Sequence, residues 1–421
     1  MKFTALLHHV SLERLRNAYR SLNRKAAPGV DGVTWAEYGK DLETNLHGLL
    51  DRVHRGAYRA RPSRRAGIEK EDGRPRLLGI AALEDKVLQA AVAEVLNAVY
   101  EEDFLGFSYG FRPGRSQHDA LDALAVGLTQ GKVNWVLDAD IRGFFDAIDH
   151  EWLIRFLEHR IADRRVIRLV RKWLKAGVLE EGRRLTQELG TPQGATISPL
   201  LGNVYLHYVL DLWAQWWRRS HERGDVVIVR YADDIVVGFR RRSDAERFRK
   251  ELTARLQQYG LELHPEKTRL LEFGRFAAED RKARGEGKPE TFDFLGFTHI
   301  CGKTRKGRFL LVRHTIARRR RATLRRLKAE LRKRLHHPVP LVGQWLRRSL
   351  DGYFNYHAVP TNSQVLRGFR TQVIRLWFRS LRRRSQRTTL TWARMSRLVT
   401  RWIPAANVRH PWPSERLSVT I

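Results

Sequence analysis

The chain has 421 residues, 42% of them apolar, and a formal net charge of +33. That length allows two or three domains with real cores, and that charge calls for a polyanionic partner, nucleic acid before an anionic membrane. A single cysteine, Cys301, excludes an internal disulfide and a cysteine-rich zinc site. No apolar run reaches the length of a membrane span and the start lacks a signal-peptide pattern, so a cytoplasmic, membrane-free setting is expected.

In chain order, Leu12, Leu15, Ala18, Tyr19 and Leu22 recur at helical spacing. Ala27–Gly32 interrupts with turn signals, and Leu42, Leu46, Leu49, Leu50 and Val53 predict a second amphipathic helix. Residues 1–60 are expected to be helical scaffold. Ile68–Ile80 reads as a strand, an Asp-Gly turn and a second strand, with Lys70 and Arg76 near opposite arms, where both could converge on one anion. A helix follows over 84–100. The loop Phe107–Arg115 mixes glycine, aromatics and Arg112, a composition suited to nucleic acid and equally to a packed turn.

Trp135–Asp146 is an acidic stretch. On a strand, Asp138 and Asp140 share one face, because side chains alternate. Phe144 and Phe145 come next, and Asp146, Asp149 and His150 predict a helix start. Leu189–Leu201 reads as a loop entering a helix, with Ser198 as N-cap and Pro199 as first helical residue. That helix is predicted to run to Trp217. The run Val226–Phe239 then places two β-branched arms around Asp233-Asp234, which predicts a hairpin with two carboxylates at its tip. Acids favour turns for ordinary reasons. Two adjacent ionised carboxylates nevertheless repel, so protonation of one or a bound cation is expected. A helix is predicted over 243–259, an exposed loop over 275–290, and a short strand at Phe292–Phe297.

Beyond about residue 313 the chain becomes arginine-rich and helical, and a boundary between two domains is expected near 310. From Cys301 onward it holds 30 Lys and Arg against 3 acids. Arginine offers a planar fork for phosphate and stacks on bases, so the bias favours nucleic acid over a solvated helical face.

Asp140-Ile-Arg-Gly-Phe-Phe-Asp146, Gly190-Thr-Pro-Gln-Gly194 with Ile197-Ser-Pro-Leu-Leu201, Tyr231-Ala-Asp-Asp234, Gly260-Leu with Lys267-Thr268, and Phe294-Leu-Gly-Phe297 stand in this order. Together they resemble the blocks of bacterial group II intron-encoded reverse transcriptases. Leu350–Tyr356, Arg382–Arg387 with Trp392, and His410-Pro-Trp-Pro413 resemble the thumb and maturase region of the same proteins. Glu69 and Leu77 stand where the family's fingers block usually carries prolines. The chain is expected to lack the family's C-terminal endonuclease module.

The resemblance implies an α+β right-hand polymerase fold. A helical extension of the fingers would occupy 1–60, fingers and palm 61–310, and an α-helical thumb and maturase domain 311–421. It implies RNA-directed DNA synthesis with two Mg²⁺ ions held by Asp140, Asp233, Asp234 and the Ile141 carbonyl. Asp138 is the rival of Asp140 by face alone; the Ile-Arg-Gly continuation favours Asp140. Lys70 and Arg76 would hold the dNTP triphosphate, Phe145 would exclude a 2′-hydroxyl, and Gln193 with Gly194 would position the nucleotide. Arg112, Arg382, Arg383, Arg384 and Arg387 would contact RNA. The implied partners are an RNA template, a DNA primer, dNTPs and intron RNA. The alternatives are a splicing maturase acting mainly by binding, and a host-adapted enzyme of defence or repair. The intact acidic set favours polymerisation, since a pure binder needs no metal site.

Overall fold

The two β-branched arms around Asp233-Asp234 pair as predicted in the computed structural model, which describes residues 1–421 except 70–74, 181–182, 186–188, 192–193, 222–225, 385–389 and 418–421. For 68–69, 75–77, 180, 183–185 and 221 it describes the backbone alone.

The N-terminal region packs helices α1 (Leu12–Ser21), α2 (Trp35–Tyr38) and α3 (Leu42–His54) before the hairpin β1 (Ser63–Glu69) and β2 (Pro75–Ile80). β1 and β2 pair antiparallel from Arg64↔Ile80 to Glu69↔Pro75, so the first arm starts earlier than Ile68. Helices α4 (Leu83–Tyr100) and α5 (Gln117–Gln130) lead to β3 (Trp135–Asp140), and α6 (Phe144–Ala147), α7 (His150–Glu158) and α8 (Arg164–Lys175) follow. Asp149 caps α7 by accepting the Trp152 N–H at 2.8 Å. Strands β4 (Val178–Glu180) and β5 (Arg183–Leu185) complete a four-stranded sheet in the order β2-β1-β4-β5.

α9 (Ser198–Leu206) passes through a π turn at His207–Asp211 into α10 (Leu212–His221). Its cap is Ile197, one residue before the predicted Ser198, and the proline falls inside the first turn. β6 (Val227–Tyr231), β7 (Asp234–Phe239), α11 (Arg242–Gln257) and β8 (Arg269–Glu272) finish the second sheet, ordered β6-β7-β3-β8 and antiparallel throughout. Both faces of this sheet are covered. Leu137, Ile228, Ile235 and Val237 enter the large core built with α4, α7, α8 and α9. Val136, Val229, Val236 and Leu271 enter a second core beneath α5. Burial on both faces is why the strands read as unbroken apolar runs.

Two expectations need correction. The stretch 275–290 contains a short helix, α12 (Ala277–Ala283), whose acidic first turn and basic last turn suit the helix dipole. The proposed boundary near 310 cuts a hairpin. β9 (Phe292–Phe294), β10 (Phe297–Lys303) and β11 (Phe309–Thr315) form one sheet, and β10 pairs with β11 from Phe297↔Thr315 to Lys303↔Phe309. The arginine-rich helices α13 (Ala317–Lys333), α14 (Val339–His357), α15 (Ser363–Arg382), α16 (Trp392–Trp402) and α17 (Pro413–Arg416) begin after it. Leu346, Leu350, Phe354, Phe369, Val373 and Trp377 give α14 and α15 their own core.

Candidate active site

The site grows from the end of the central sheet. β6 and β7 pair Tyr231 directly with Asp234, which leaves Ala232 and Asp233 as a two-residue turn. Ala232 takes a left-handed φ of 55°. A buried arginine holds that turn. Arg230 is 0% exposed and donates from Nη1 to the Ala232 carbonyl at 3.0 Å and to Asn203 Oδ1 at 3.1 Å. Its Nε and Nη2 donate to the Asp211 carboxylate at 2.7 and 2.5 Å, and Nη2 also reaches Ser108 Oγ at 2.7 Å. Every guanidinium nitrogen therefore has a partner, the condition under which a buried charge is tolerated. The loop 107–110 braces the hairpin from outside. Tyr109 N–H donates to the Arg230 carbonyl at 2.9 Å, and a Cβ on Gly110 would lie 2.4 Å from the Ala232 nitrogen. Only glycine allows that approach.

Asp140 lies directly opposite Asp234 across β3 and β7, while Asp138 pairs with Val236 one step into the sheet. The backbone of Asp140 is fixed by the His264 N–H at 2.7 Å, and Ile141, 2% exposed, bridges to Leu263. This loop brings Lys267 Nζ to 2.8 Å from Asp140 Oδ2. Arg269, on β8, reaches Asp138 at 3.5 Å. The two candidates thus separate by surroundings: Asp138 belongs to a strand ion pair, whereas Asp140 sits at the sheet end beside the Asp233-Asp234 turn.

Enclosure by protein, then repulsion from Asp233, Asp140 and Asp138, pushes the Asp234 carboxyl up to about 7, although its tip opens to solvent. Burial likewise raises Asp138 to about 6 against the opposing pull of Arg269. The protein therefore gathers more negative charge at this end than it neutralises. The donors are hard carboxylate oxygens, and one of them already faces an ammonium on an exposed, movable stem. A divalent cation fits that charge. Among the described residues no group of three His, Cys, Asp or Glu forms a ready metal cage.

Beside the acids, the Phe144 ring is buried at 2% and the half-buried Phe145 ring lies 5.1 Å from it. A Cβ on Gly202 of α9 would come within 3.1 Å of both rings, so that glycine lets them seat against the helix. The Phe145 carbonyl accepts the Thr191 N–H at 2.8 Å, tying the aromatic pair to the loop that precedes α9. Gly190 takes φ +88°, and a Cβ there would meet the Asp146 carbonyl at 2.9 Å. Gly194 takes φ +110°, and a Cβ there would lie 3.0 Å from the Gly79 carbonyl on β2. Gly190 thus lies against the backbone of Phe145 and Asp146, and Gly194 against β2. Gln193 and Lys70 lie outside the described residues, and Arg76 is placed only as a β2 residue opposite Ile68.

The expected RNA contacts divide. Arg112 is 6% exposed, holds Glu101 through Nε and Nη2 at 3.1 and 2.8 Å, and donates to the Leu105 and Ser108 carbonyls at 2.8 Å. It is a structural arginine of the hairpin brace, not an RNA contact. Arg382 and Arg383 are exposed at the end of α15, Arg384 donates to the His337 carbonyl, and Arg387 lies outside the described residues. The sequence reading missed Arg230. Its signal was an arginine directly after the apolar run Val226–Val229, just before the acidic turn. Lys267 was noted within a motif but given no role.

The reverse transcriptase (RNA-dependent DNA polymerase) family profile matches residues 68–299. Protein YkfC of Escherichia coli is 34% identical over 59% of this chain and 74% of its own. The group II intron-encoded protein LtrA of Lactococcus lactis is 36% identical over 49% of this chain and 35% of its own. A 91 kDa protein in the cob intron of Schizosaccharomyces pombe is 44% identical over 35% of this chain and 18% of its own. The chain thus spans about a third or less of these two intron proteins and three quarters of YkfC. Reverse transcriptases are metal-dependent, in keeping with the crowded acids. The chain belongs to the reverse transcriptase (RNA-dependent DNA polymerase) family.

Proposed function

We propose that this protein copies RNA into cDNA with two Mg²⁺ ions at the Asp140, Asp233 and Asp234 end of the central sheet, in the cytoplasm, and that its thumb holds intron RNA during splicing. The observation that carries the reading is Asp140 opposite Asp234, beside a turn clamped by a fully buried arginine. Bound there, such ions would supply activation of the primer 3′-hydroxyl and charge stabilisation at the α-phosphate and departing pyrophosphate. The carboxylates of Asp140, Asp233 and Asp234, with the Ile141 carbonyl, would hold them. Rigidity at the turn matters because misplacing reacting groups by about 1 Å can cost on the order of 100-fold.

Phe145 would lie under the sugar of the dNTP and exclude a 2′-hydroxyl. Gly194 would let the backbone approach the nucleotide, Gln193 would position it, and Lys70 and Arg76 would hold the triphosphate. The DNA primer and RNA template would run between this site and the thumb. Intron RNA would be held by phosphate contacts and shape, which need no catalytic metal.

Primer extension on an RNA template tests the reading. Asp140→Ala should abolish extension while circular dichroism and melting show an intact fold. Extension near the wild-type rate by the folded variant would overturn the metal assignment.

A further inference from the structure

Far along the sequence from the acids, α15 and α16 build a pocket that shares no residue with the candidate active site. Its volume is about 410 Å³, and Arg375, Phe378, Arg379, Arg382, Arg383 and Trp392 line it. The size lies within the ~300–1,000 Å³ range of small-ligand sites. The side chains fall where helix geometry puts them. At about 100° per residue, Arg375, Arg379, Arg382 and Arg383 occupy the side of α15 opposite Leu366, Val373, Trp377 and Leu381, which fill the thumb core. All four arginines are exposed. Among the described residues none of them forms an ion pair with an acid, and no acid lines the pocket. That differs from the sheet end, where Lys267 and Arg269 are both paired.

The floor is aromatic. Phe378 and Trp392 stack with centroids 4.1 Å apart and planes 12° from parallel. Trp392 is 55% exposed, so one face of this flat platform is free for another ring. The platform is fixed. Thr391 caps α16 by accepting the Arg394 N–H at 3.3 Å, and fully buried Met395 anchors the next turn. Arg382 leans over the Phe378 ring at 5.9 Å. An exposed tryptophan on a rigid partner, ringed by unpaired guanidinium groups, suits a flat ring attached to phosphates.

We propose that this pocket binds an unpaired nucleotide of single-stranded RNA, with the base stacked on Trp392 and the flanking phosphates held by Arg375, Arg379, Arg382 and Arg383. A base inside a duplex is stacked on its neighbours and cannot present its face, so the geometry selects single strands over duplex. Arginine suits both tasks, since its plane stacks and its fork holds phosphate. The proposal rests on the reading of the chain as an RNA-binding polymerase and adds to it a defined docking point outside the catalytic cleft.

The test compares full-length wild type, Trp392→Ala and Trp392→Phe for binding a short oligouridylate, an oligothymidylate of equal length and a blunt RNA duplex at matched salt. Trp392→Ala should weaken oligouridylate binding about tenfold, within the range of one base–aromatic stack, with duplex binding near the wild-type value. Trp392→Phe should recover most of the loss. Arg375→Gln with Arg379→Gln should lower the log–log salt slope by ~0.7 for each phosphate contact removed. A loss on oligouridylate supports the proposal whether or not oligothymidylate shares it. Loss on oligothymidylate alone, equal losses on duplex and single strand, or failure of Trp392→Phe to recover binding would overturn it. Primer extension by the same proteins separates the two readings. An inactive wild type refutes the polymerase reading. Normal extension with unchanged oligouridylate binding by Trp392→Ala refutes the pocket alone.

Discussion

The sheet end and the thumb use the same charged residue types to opposite effect. At the sheet end, Arg230 is buried, meets five acceptor atoms, and leaves nothing for a ligand. The acids around it are crowded instead, with Asp234 held near neutral pH. Along α15 and at its end, Arg375, Arg379, Arg382 and Arg383 are exposed and lack carboxylate partners among the described residues. Charge that is satisfied within the protein builds a rigid frame. Like charge crowded together, negative at the sheet end and positive on the thumb, marks where a cation or a phosphate belongs.

The sharpest way to break this contrast is to remove one arginine from each region. Arg230→Met should destabilise the protein by ~3–5 kcal/mol, because Asp211 is left as a buried, uncompensated carboxylate. Arg379→Met should change stability by less than ~0.5 kcal/mol, as exposed substitutions usually do. Denaturant titration of both variants decides. Equal stabilities would mean that burial is not what separates the two arginines.

Phe145→Ala sharpens the account on the catalytic side. Removing the ring should raise ribonucleotide incorporation relative to dNTP by at least ~10-fold, a loss of about 1.4 kcal/mol of steric discrimination. Single-nucleotide incorporation of matched dNTP and rNTP measures it. Unchanged discrimination would shift attention to Phe144, whose ring is the more buried of the two.

The smallest effect is a pH dependence. The folded Asp234 carboxyl titrates at about 7, above the ordinary carboxylate range, so the folded state keeps a proton that the unfolded chain releases from about pH 4 upward. Stability from this group is therefore lost as pH rises through 7. In metal-free buffer, Asp234→Asn should melt at nearly the wild-type temperature at pH 4 and a few degrees higher at pH 8. A difference that is the same at both values would show that the repulsion is relieved within the protein.

Much of this was legible in the sequence, for reasons that differ by region. β-branched runs with both faces buried identify β6 and β7, and alternation correctly put Asp138 and Asp140 on one face. Choosing between those two required the register, which sets Asp140 opposite Asp234. Arg112 misled because an arginine in a glycine-rich loop reads as a surface cation; its partner Glu101 stands at the end of the preceding helix, where no local pattern links them. β11 was cut because its basic residues resemble the helices after it, although Arg313 is buried against Asp122 of α5. The Trp392 platform could not be found from spacing alone. It depends on how α16 folds back onto α15.

The central claim is that the crowded acids serve chemistry and the unpaired arginines serve RNA. Asp233→Asn tests it most directly, because the change is nearly isosteric and removes only the carboxylate charge. Extension of a primed RNA template and splicing of the flanking intron RNA should be measured on the same purified protein at one salt concentration. The account predicts that cDNA synthesis stops while splicing assistance persists. Loss of both activities in a folded Asp233→Asn protein would contradict it.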